Sequence, residues 1–286
     1  MSTWVPVATN LGGVVETPEL ASTPHRLDID GKPYVPTGDG GIVLGVRLGD
    51  GVFATDADHA APGACLVHRD QPARHALTSF ACLGNPVTIR TGAAAGEHGV
   101  VLGKRGELGR VIACFAPEVL ERLAPNDAVV VRGHGQGAEL PGKHAVRMCN
   151  IAPGALALLP IETGDRVRVS VRATIPSSAI GNGVGRPVEQ WDLDIQVDVE
   201  TATAIGLADL ALGDLVTVDD LDVRHNAGYR GGYRTVGIVV HGGSPQPGHG
   251  PGLMPILCGP ADDFDVHVDA EHRGLTEAAL LGYQDR

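Results

Sequence analysis

The 286-residue sequence has few aromatic residues and a large excess of acidic over basic side chains. Phenylalanine, tryptophan and tyrosine together make up 3% of the chain, so stacking of nucleic-acid bases on aromatic rings is not expected. A formal net charge of −12 would repel phosphate backbones and anionic lipid surfaces. The composition therefore predicts that neither nucleic acid nor a membrane is a partner.

Long apolar runs, a secretory signal and paired cysteine motifs are also missing. No window approaches the roughly 18 apolar residues of a membrane span, and MSTWVPVATNLGG has no basic segment followed by an apolar one. The five cysteines are scattered without a CxxC pair, which favours reduced thiols over disulfides or a structural zinc site. We therefore expect a cytoplasmic protein in which most cysteines are small core residues.

Glycine and proline, with 40 and 20 residues, interrupt many short runs of valine, isoleucine and leucine. Runs of this length bounded by turn residues predict strands, as in NPVTIRT, HGVVLGK, RVIACF, DAVVVRG, RVRVSVRATI, LVTVDDLDV and VGIVVHG. Helices are predicted at APEVLERLA, at TATAIGLADLAL and, near the end, at LTEAALLGY. The predicted fold class is mainly β with a few short helices, shaped like a barrel or a sandwich.

A short pattern recurs in RLGDGVFATD at 47, APNDAVVVRG at 124, ETGDRVRVSV at 162 and ALGDLVTVDD at 211. We interpret it as a tight turn whose aspartate caps local backbone amides before a strand. The alternative is chance recurrence of a common turn. The copies divide between an N-terminal β-rich half, residues 1–153, and a C-terminal β-rich half, residues 154–286, which we expect to pack as one body.

Histidine and aspartate side chains follow two of the predicted strands. His241 ends the strand TVGIVV, and His249 follows in the loop HGGSPQPGHGPG, while Asp56, Asp58 and His59 lie together in ATDADHAAPG. Neutral imidazole is a common zinc ligand, although this spacing matches no known metal signature. The alternatives are histidines bonded to backbone carbonyls in the first stretch and a solvated Asx turn in the second.

Other polar residues lie in glycine-rich loops. His134 and Gln136 are spaced by glycines in VRGHGQGAEL, and Asn182 lies in GNGVG. Neither stretch is followed by the helix that a nucleotide-binding loop needs, so no nucleotide cofactor is expected. Arg230 and Arg234, in RHNAGYRGGYR, are candidates to hold a substrate carboxylate, unless this segment is only a surface loop.

Five stretches occur in an order that resembles a known family: GDGVFATDADHAAPG, EVLERLAPNDAVVVRGHGQG, VRMCNIAPGAL, RATIPSSAIGNGVG and VGIVVHGGSPQPGHGPGLMPILCG. They resemble the bacterial and archaeal domain of unknown function 4438, over nearly the whole chain. The resemblance implies a β-rich fold of about this length and no assigned reaction. Its recurring residues correspond to Asp58, His59, Gln136, His241 and His249. Relatives carry an aromatic residue in place of His134, so the resemblance does not extend to that side chain.

These features favour an enzyme, and a fainter similarity in style links the chain to acetamidases and formamidases. The predicted catalytic residues are Asp58, His59, His241, His249 and Gln136. The predicted ligands of a divalent metal ion, zinc, are His59, His241, His249 and Asp56. The predicted substrate-binding residues are Arg230, Arg234, His134 and Asn182.

The expected reaction is hydrolysis of a small amide, lactam or imide, or the reverse cyclisation, on a metal that polarises the carbonyl and activates water. The same residues without a metal would support acid–base isomerisation or cyclisation instead. The alternative to an enzyme is a non-catalytic, oligomeric module that binds a small molecule, and a regulator that binds nucleic acid is disfavoured by the negative charge. The expected partner is a small-molecule substrate, and a homo-oligomer is compatible with each hypothesis.

Overall fold

The computed structural model describes residues 7–20, 25–54, 57–142, 145–271 and 274–283. The strands are β1 (Thr9–Val15), β2 (Arg26–Leu27), β3 (Pro33–Tyr34), β4 (Ile42–Val43), β5 (Gly63–Val67), β6 (Pro86–Ile89), β7 (His98–Arg105), β8 (Arg110–Phe115), β9 (Ala128–Gly133), β10 (Arg147–Met148), β11 (Ile161–Glu162), β12 (Val167–Val171), β13 (Ala173–Pro176), β14 (Leu193–Asp194), β15 (Leu215–Asp222), β16 (Gly228–His241), β17 (Gly252–Pro260) and β18 (Phe264–Val268). The α-helices are α1 (Gln71–Phe80), α2 (Pro117–Leu120), α3 (Val199–Ala204) and α4 (Glu277–Leu281), and 3-10 helices occupy Pro153–Leu158, Ser177–Ala179 and Ala261–Asp263.

Strands of the first half form a closed, antiparallel, six-stranded β-barrel. Its order is β1-β9-β6-β7-β8-β5, and β5 pairs back with β1 through Val14 opposite Val67 and Val15 opposite Leu66. One face of the barrel strands contributes to a single apolar cluster that includes Leu77 of α1. This cluster is mostly aliphatic, as the scarcity of aromatic residues requires.

The second half forms a sheet ordered β10-β17-β16-β15-β13, with β14 also paired to β17. A smaller sheet, β11-β12-β18, and the hairpin β2-β3 complete the fold. Successive side chains of the barrel strand β7 face two different hydrophobic clusters. Val101 belongs to the barrel cluster, whereas Leu102 packs in the cluster that contains Ile238 and Met254. Strands from the two halves therefore share one hydrophobic core.

The prediction of a mainly β fold with a barrel is confirmed. The predicted helices exist but are short, and α3 ends at Ala204 because Gly206 adopts the left-handed conformation, with a φ of +76°. The sequence patterns do not predict α1, since only Leu77 and Thr78 of this helix are buried. Its start is marked instead by the side chain of Asp70, which accepts a hydrogen bond from a backbone amide of the first turn.

At least three copies of the recurring pattern form the predicted tight turn capped by an aspartate. Asp50, Asp127 and Asp214 each accept a hydrogen bond from the backbone amide three residues earlier, at 2.8, 2.8 and 2.9 Å. The residue before each of these aspartates has a positive φ, as a tight turn requires. A strand follows directly after Asp127 and Asp214, whereas Asp50 is followed only by an isolated bridge.

The cysteines lie in the core, as expected from composition. All five cysteines, Cys65, Cys82, Cys114, Cys149 and Cys258, are free thiols in buried positions. Within the described residues, no helix combines the length and the apolar character needed to cross a membrane.

Candidate active site between the two halves

The ends of three adjacent strands form one side of the candidate site. His241 is the last residue of β16 and lies opposite Gly252 of β17. Gly252 also pairs with Asp194 of β14 on its other side. A Cβ atom on Gly252 would overlap the imidazole of His241. Glycine at this position therefore makes room for the histidine ring.

Two aspartates from the segment that ends in β14 approach the histidines. Asp192 and Asp194 are two residues apart in extended chain, so their side chains share a face. Asp192 Oδ2 lies 2.7 Å from His241 Nε2, and its Oδ1 accepts a hydrogen bond of 2.9 Å from the amide of Gly106. Asp194 Oδ2 lies 3.1 Å from His249 Nδ1, and Asp194 Oδ1 lies 3.6 Å from His241 Nε2.

His59 enters the site from the first half, on the loop before β5. Its φ is +54°, which is uncommon for a residue other than glycine. The amide of His59 donates to the carbonyl of Gly243 at 2.9 Å, which joins this loop to the loop after His241. His59 Nε2 lies 3.1 Å from His249 Nδ1, and the His59 ring centre lies 5.1 Å from that of His241. Three histidines thus meet in one place.

Hydrogen-bond partners indicate which ring nitrogen of each histidine faces the other side chains of the site. His241 Nδ1 lies 2.9 Å from the carbonyl oxygen of Gly242, so we assign it a proton, and Nε2 faces the two aspartates. His59 Nδ1 lies 2.7 Å from Asp58 Oδ1, although this contact does not have hydrogen-bond geometry. A proton on Nδ1 of His59 leaves its Nε2 free toward His249.

The His241 and Asp192 pair is buried and favours its charged form. Burial alone would lower the pKa of His241, but the hydrogen bond to Asp192 and the charges of Asp192 and Asp194 outweigh it and raise this pKa. Burial likewise opposes ionisation of Asp192, yet His241 and the amide of Gly106 hold the pKa of that carboxyl below its usual value.

The pKa values of His59 and His249 are shifted in opposite directions. Burial lowers the pKa of His59, and Arg105 adds to this effect, despite the opposing contact with Asp58. Burial alone would lower the pKa of His249, but the hydrogen bond with Asp194 and the charge of Asp194 outweigh burial and raise the pKa of His249. The site therefore contains an imidazole that favours the neutral form beside one that favours the charged form.

Glu107 contacts His249, and three arginines bind carboxylates beside the site. Glu107, just after β7, has Oε1 at 3.3 Å from His249 Nε2, and its Oε2 accepts a hydrogen bond of 2.7 Å from Arg105. Arg105 and Arg110 both donate to Asp39, and Arg26 donates to Asp39 at 2.8 Å and to Asp58 at 3.0 Å. These cations balance part of the acidic charge of the site.

Family comparisons cover both halves of the chain. Models described as the N-terminal and C-terminal parts of a domain of unknown function, DUF4438, match residues 25–157 and 158–273. This chain is a DUF4438 protein. The resemblance inferred from its motifs is thereby confirmed.

A solved structure described as the crystal structure of TM1086 is similar to this DUF4438 protein, with 31% sequence identity and a TM-score of 0.89. The alignment covers 94% of the DUF4438 chain and 95% of the TM1086 chain. No curated protein matches the chain. The family and the fold are thus established, while neither carries a known reaction.

The structure brings four of the predicted catalytic or metal-binding residues of this DUF4438 protein together: Asp58, His59, His241 and His249. Asn182, predicted to bind substrate, lies at the edge of the same site, where its Nδ2 donates to Glu107 Oε1 at 3.3 Å. Asp56, a predicted metal ligand, lies outside the described residues.

Gln136 and His134 lie elsewhere. The Gln136 amide donates to the carbonyl of Ser79 at 2.8 Å and to Asn150 Oδ1 at 2.7 Å, so its hydrogen bonds are structural. His134 Nδ1 lies 3.0 Å from Asn85 Nδ2. Both side chains line a separate cavity of about 340 Å³. This placement gives no support to the roles predicted for them at the histidine site.

Arg230 lies near the start of β16 and Arg234 near its middle, whereas His241 is its last residue. Arg234 is seven positions before His241, or about 23 Å of extended chain at roughly 3.3 Å per residue. Arg234 Nε donates to Asp219 at 2.6 Å, and Arg230 Nη1 donates to Asp222 at 2.9 Å. The role in substrate binding predicted for these arginines therefore has no support from their positions.

Three residues of the site are absent from the sequence-based prediction: Asp192, Asp194 and Glu107. The alternation in WDLDIQVD does contain a signal, because two carboxylates two residues apart share a face of an extended segment. Glu107 has no comparable signal, since it follows an apolar strand in an ordinary turn. Their partners come from other parts of the chain, and a single sequence does not reveal such contacts.

Proposed function

We propose that this DUF4438 protein is a divalent-metal-dependent enzyme that hydrolyses a C–N bond in a small amide, lactam or imide, or forms it in reverse. The observation that carries the proposal is the 3.1 Å approach of His59 Nε2 and His249 Nδ1, with Asp194 Oδ2 also 3.1 Å from the latter nitrogen. Two imidazole nitrogens this close must share either a proton or a cation.

The three atoms are suited to one metal ion. Ligand atoms bonded to zinc at about 2.0–2.2 Å lie roughly 3–4 Å apart, and the ligand atoms of His59, Asp194 and His249 all lie within 4.8 Å of one another. His249 Nε2 contacts Gln246 Nε2 at 2.9 Å as well as Glu107 Oε1 at 3.3 Å. Because an amide nitrogen is itself a donor, a proton on Nε2 that is donated to Glu107 requires the Gln246 amide to turn its oxygen toward Nε2. This arrangement leaves Nδ1 available to the metal.

Three protein ligands leave a coordination position open, as in catalytic rather than structural zinc sites. A metal ion held by these residues would lower the pKa of a bound water, which would supply hydroxide near neutral pH. In the hydrolysis, the oxygen of water would bond to the carbonyl carbon, the C–N bond would break, and a proton from the same water would pass to the leaving nitrogen. We propose Glu107 as the carrier of that proton, because it is half-buried and adjacent to His249.

A cavity of about 650 Å³ supports a small-molecule substrate, since its lining includes Glu107 of the site together with Arg74, Arg186 and Trp191. The Arg186 guanidinium lies over the Trp191 ring, 4.8 Å from its centre. Arginines in such a lining favour a substrate that carries a carboxylate. In this proposal, Arg186 takes the role that the sequence suggested for Arg230 and Arg234.

The same proposal includes a cytoplasmic location and a small-molecule substrate, without a nucleic-acid or membrane partner. The net charge of −12 and the five free thiols support these points. Assembly into a homo-oligomer is compatible with the proposal.

A second candidate function is acid–base catalysis without a metal. It is favoured by the His241–Asp192 contact of 2.7 Å, because a protonated histidine satisfies that carboxylate without a metal ion. A non-catalytic binding module is the third candidate, and it predicts neither bound metal nor turnover.

Elemental analysis of the purified, untagged protein by plasma mass spectrometry tests the proposal. We expect at least about one zinc, manganese or iron per chain, lost in His249→Ala and retained in the control His267→Ala, which changes an exposed histidine of β18. A panel of amides, lactams and imides carrying a carboxylate then tests turnover. Absence of metal after incubation with divalent ions contradicts the metal-dependent mechanism, and turnover without metal favours the acid–base candidate. Bound metal without turnover on the panel contradicts the proposed reaction.

A further inference from the structure

The two histidine clusters of the site meet at one carboxylate group. Asp194 Oδ2 lies 3.1 Å from His249 Nδ1, and Asp194 Oδ1 lies 3.6 Å from His241 Nε2. We propose that Asp194 bridges two divalent metal ions, one bound with His59 and His249 and the other bound with Asp192 and His241. This inference rests on the proposed function, because it adds a second ion to the same active site.

The first argument is an unpartnered oxygen. Asp194 is only 4% exposed, and within the described part of the chain its Oδ1 accepts no hydrogen bond. Buried polar atoms nearly always have a partner, so an unpartnered buried carboxylate oxygen indicates that a group is missing. A cation beside His241 Nε2 would supply that partner.

The second argument is the set of ligand atoms around that oxygen. Asp192, Asp194 and His241 are all buried, and their ligand atoms lie within 4.8 Å of one another. His241 Nδ1 faces the Gly242 carbonyl at 2.9 Å, and Asp192 Oδ1 accepts from the Gly106 amide at 2.9 Å. Such backbone partners on the far side of histidine and carboxylate ligands are typical of metal sites.

A proton on His241 accounts for fewer of these contacts than a second metal ion would. A charged His241 satisfies Asp192 Oδ2 at 2.7 Å but leaves Asp194 Oδ1 at 3.6 Å, too far for a hydrogen bond. The arginine contacts described at this site go to other carboxylates, since Arg26 and Arg105 bind Asp39, Asp58 and Glu107. The charge of Asp194 is therefore balanced only by histidines among the contacts described.

Two ions bridged by a carboxylate, about 3.5–4 Å apart, suit the hydrolysis of a carbonyl compound. One ion can bind the hydroxide that attacks, while the other polarises the carbonyl oxygen of the amide, lactam or imide. His59 and His249 on one side of Asp194, and His241 on the other, provide the two halves of that arrangement.

Loading with manganese(II) tests the bridge. After gel filtration we expect about two manganese ions per chain in the native protein and about one in Asp192→Asn, which keeps the size of the side chain. The control is Asp219→Asn, a partly exposed carboxylate on β15, and we expect it to keep about two ions. Electron paramagnetic resonance should show an exchange-coupled pair in the native protein and an isolated ion in Asp192→Asn.

The outcomes separate this inference from the proposed function. About one manganese ion per native chain with an isolated-ion spectrum overturns the bridge and leaves a mononuclear enzyme. No bound ion in the native protein overturns both. The stoichiometry and spectrum of the native protein decide the question even where Asp192→Asn does not fold, and circular dichroism of each variant shows whether it folds.

Discussion

Replacing Gly252 with alanine tests the packing that creates the candidate site. A methyl group at this position would overlap the ring of His241, because the two residues lie opposite each other on β17 and β16. The backbone of Gly252 does not adopt the left-handed conformation, so any cost comes from the added side chain rather than from φ. The histidine ring must therefore move away from Asp192.

The expected loss of stability has two sources. Adding a methyl group to a packed interior typically costs about 1–3 kcal/mol. Removing one partner from a buried ion pair costs about 3–5 kcal/mol, and the His241–Asp192 pair is buried on both sides. Both effects act through the same ring and do not simply add. We expect Gly252→Ala to lower the free energy of unfolding by about 3 kcal/mol in metal-free buffer.

Urea unfolding followed by circular dichroism measures this difference. The matched control is Gly231→Ala on β16, where an added Cβ would have no atom within 4 Å and the backbone is equally permissive. We expect the control to change stability by no more than about 0.5 kcal/mol. If Gly252→Ala is as stable as the native protein and binds as much manganese, the argument for the position of His241 is refuted.

Three further predictions concern the surroundings of the site. Asp58→Asn, which changes the partner of His59 Nδ1, should weaken metal binding by about 10–100-fold in a chelator competition, and an unchanged affinity would contradict the role of Asp58. Burial lowers the pKa of Lys104 from 10.5 to about 8, so between these pH values the unfolded chain binds more protons and stability rises with pH. Relative to Lys104→Met, the native protein should gain about 3 kcal/mol across this window in unfolding experiments, and parallel curves would refute the shift. Arg186→Ala should raise KM for a carboxylate substrate roughly tenfold, an effect of about 1.4 kcal/mol, and Arg234→Ala should not; equal effects would place the carboxylate elsewhere.

The fold class was predictable because local signals are strong. The run RVIACF becomes β8, and β6 occupies the PVTI of NPVTIRT, since turn residues bound both runs. The closure of the barrel was not predictable in the same way. It depends on pairing of β1 with β5 and β9, strands far apart in sequence, and alternation within each strand does not specify its neighbours.

The site was predictable where a strand ends in a polar loop. His241 and His249 follow that pattern, and the glycine-rich loop between them lets both rings reach the junction of the halves. Gln136 and Arg234 were selected for their chemistry, but nearby groups satisfy their hydrogen bonds. Asp194 was not predicted because its contacts are with His241 and His249, which are far from it in the sequence.

The barrel strand β7 takes part in the geometry of the site without supplying a metal ligand. The amide of Gly106, directly after β7, donates to Asp192. Lys104 Nζ donates a hydrogen bond of 2.8 Å to the carbonyl of Glu189, in the segment that leads to β14. Lys104 also donates to Asn150 at 3.0 Å, which in turn donates to the carbonyl of Val188 at 2.9 Å. The position of Asp192 and Asp194 thus depends on contacts from the first half. Neither family-matched part alone contains the complete site, because His59 belongs to the first and both aspartates belong to the second.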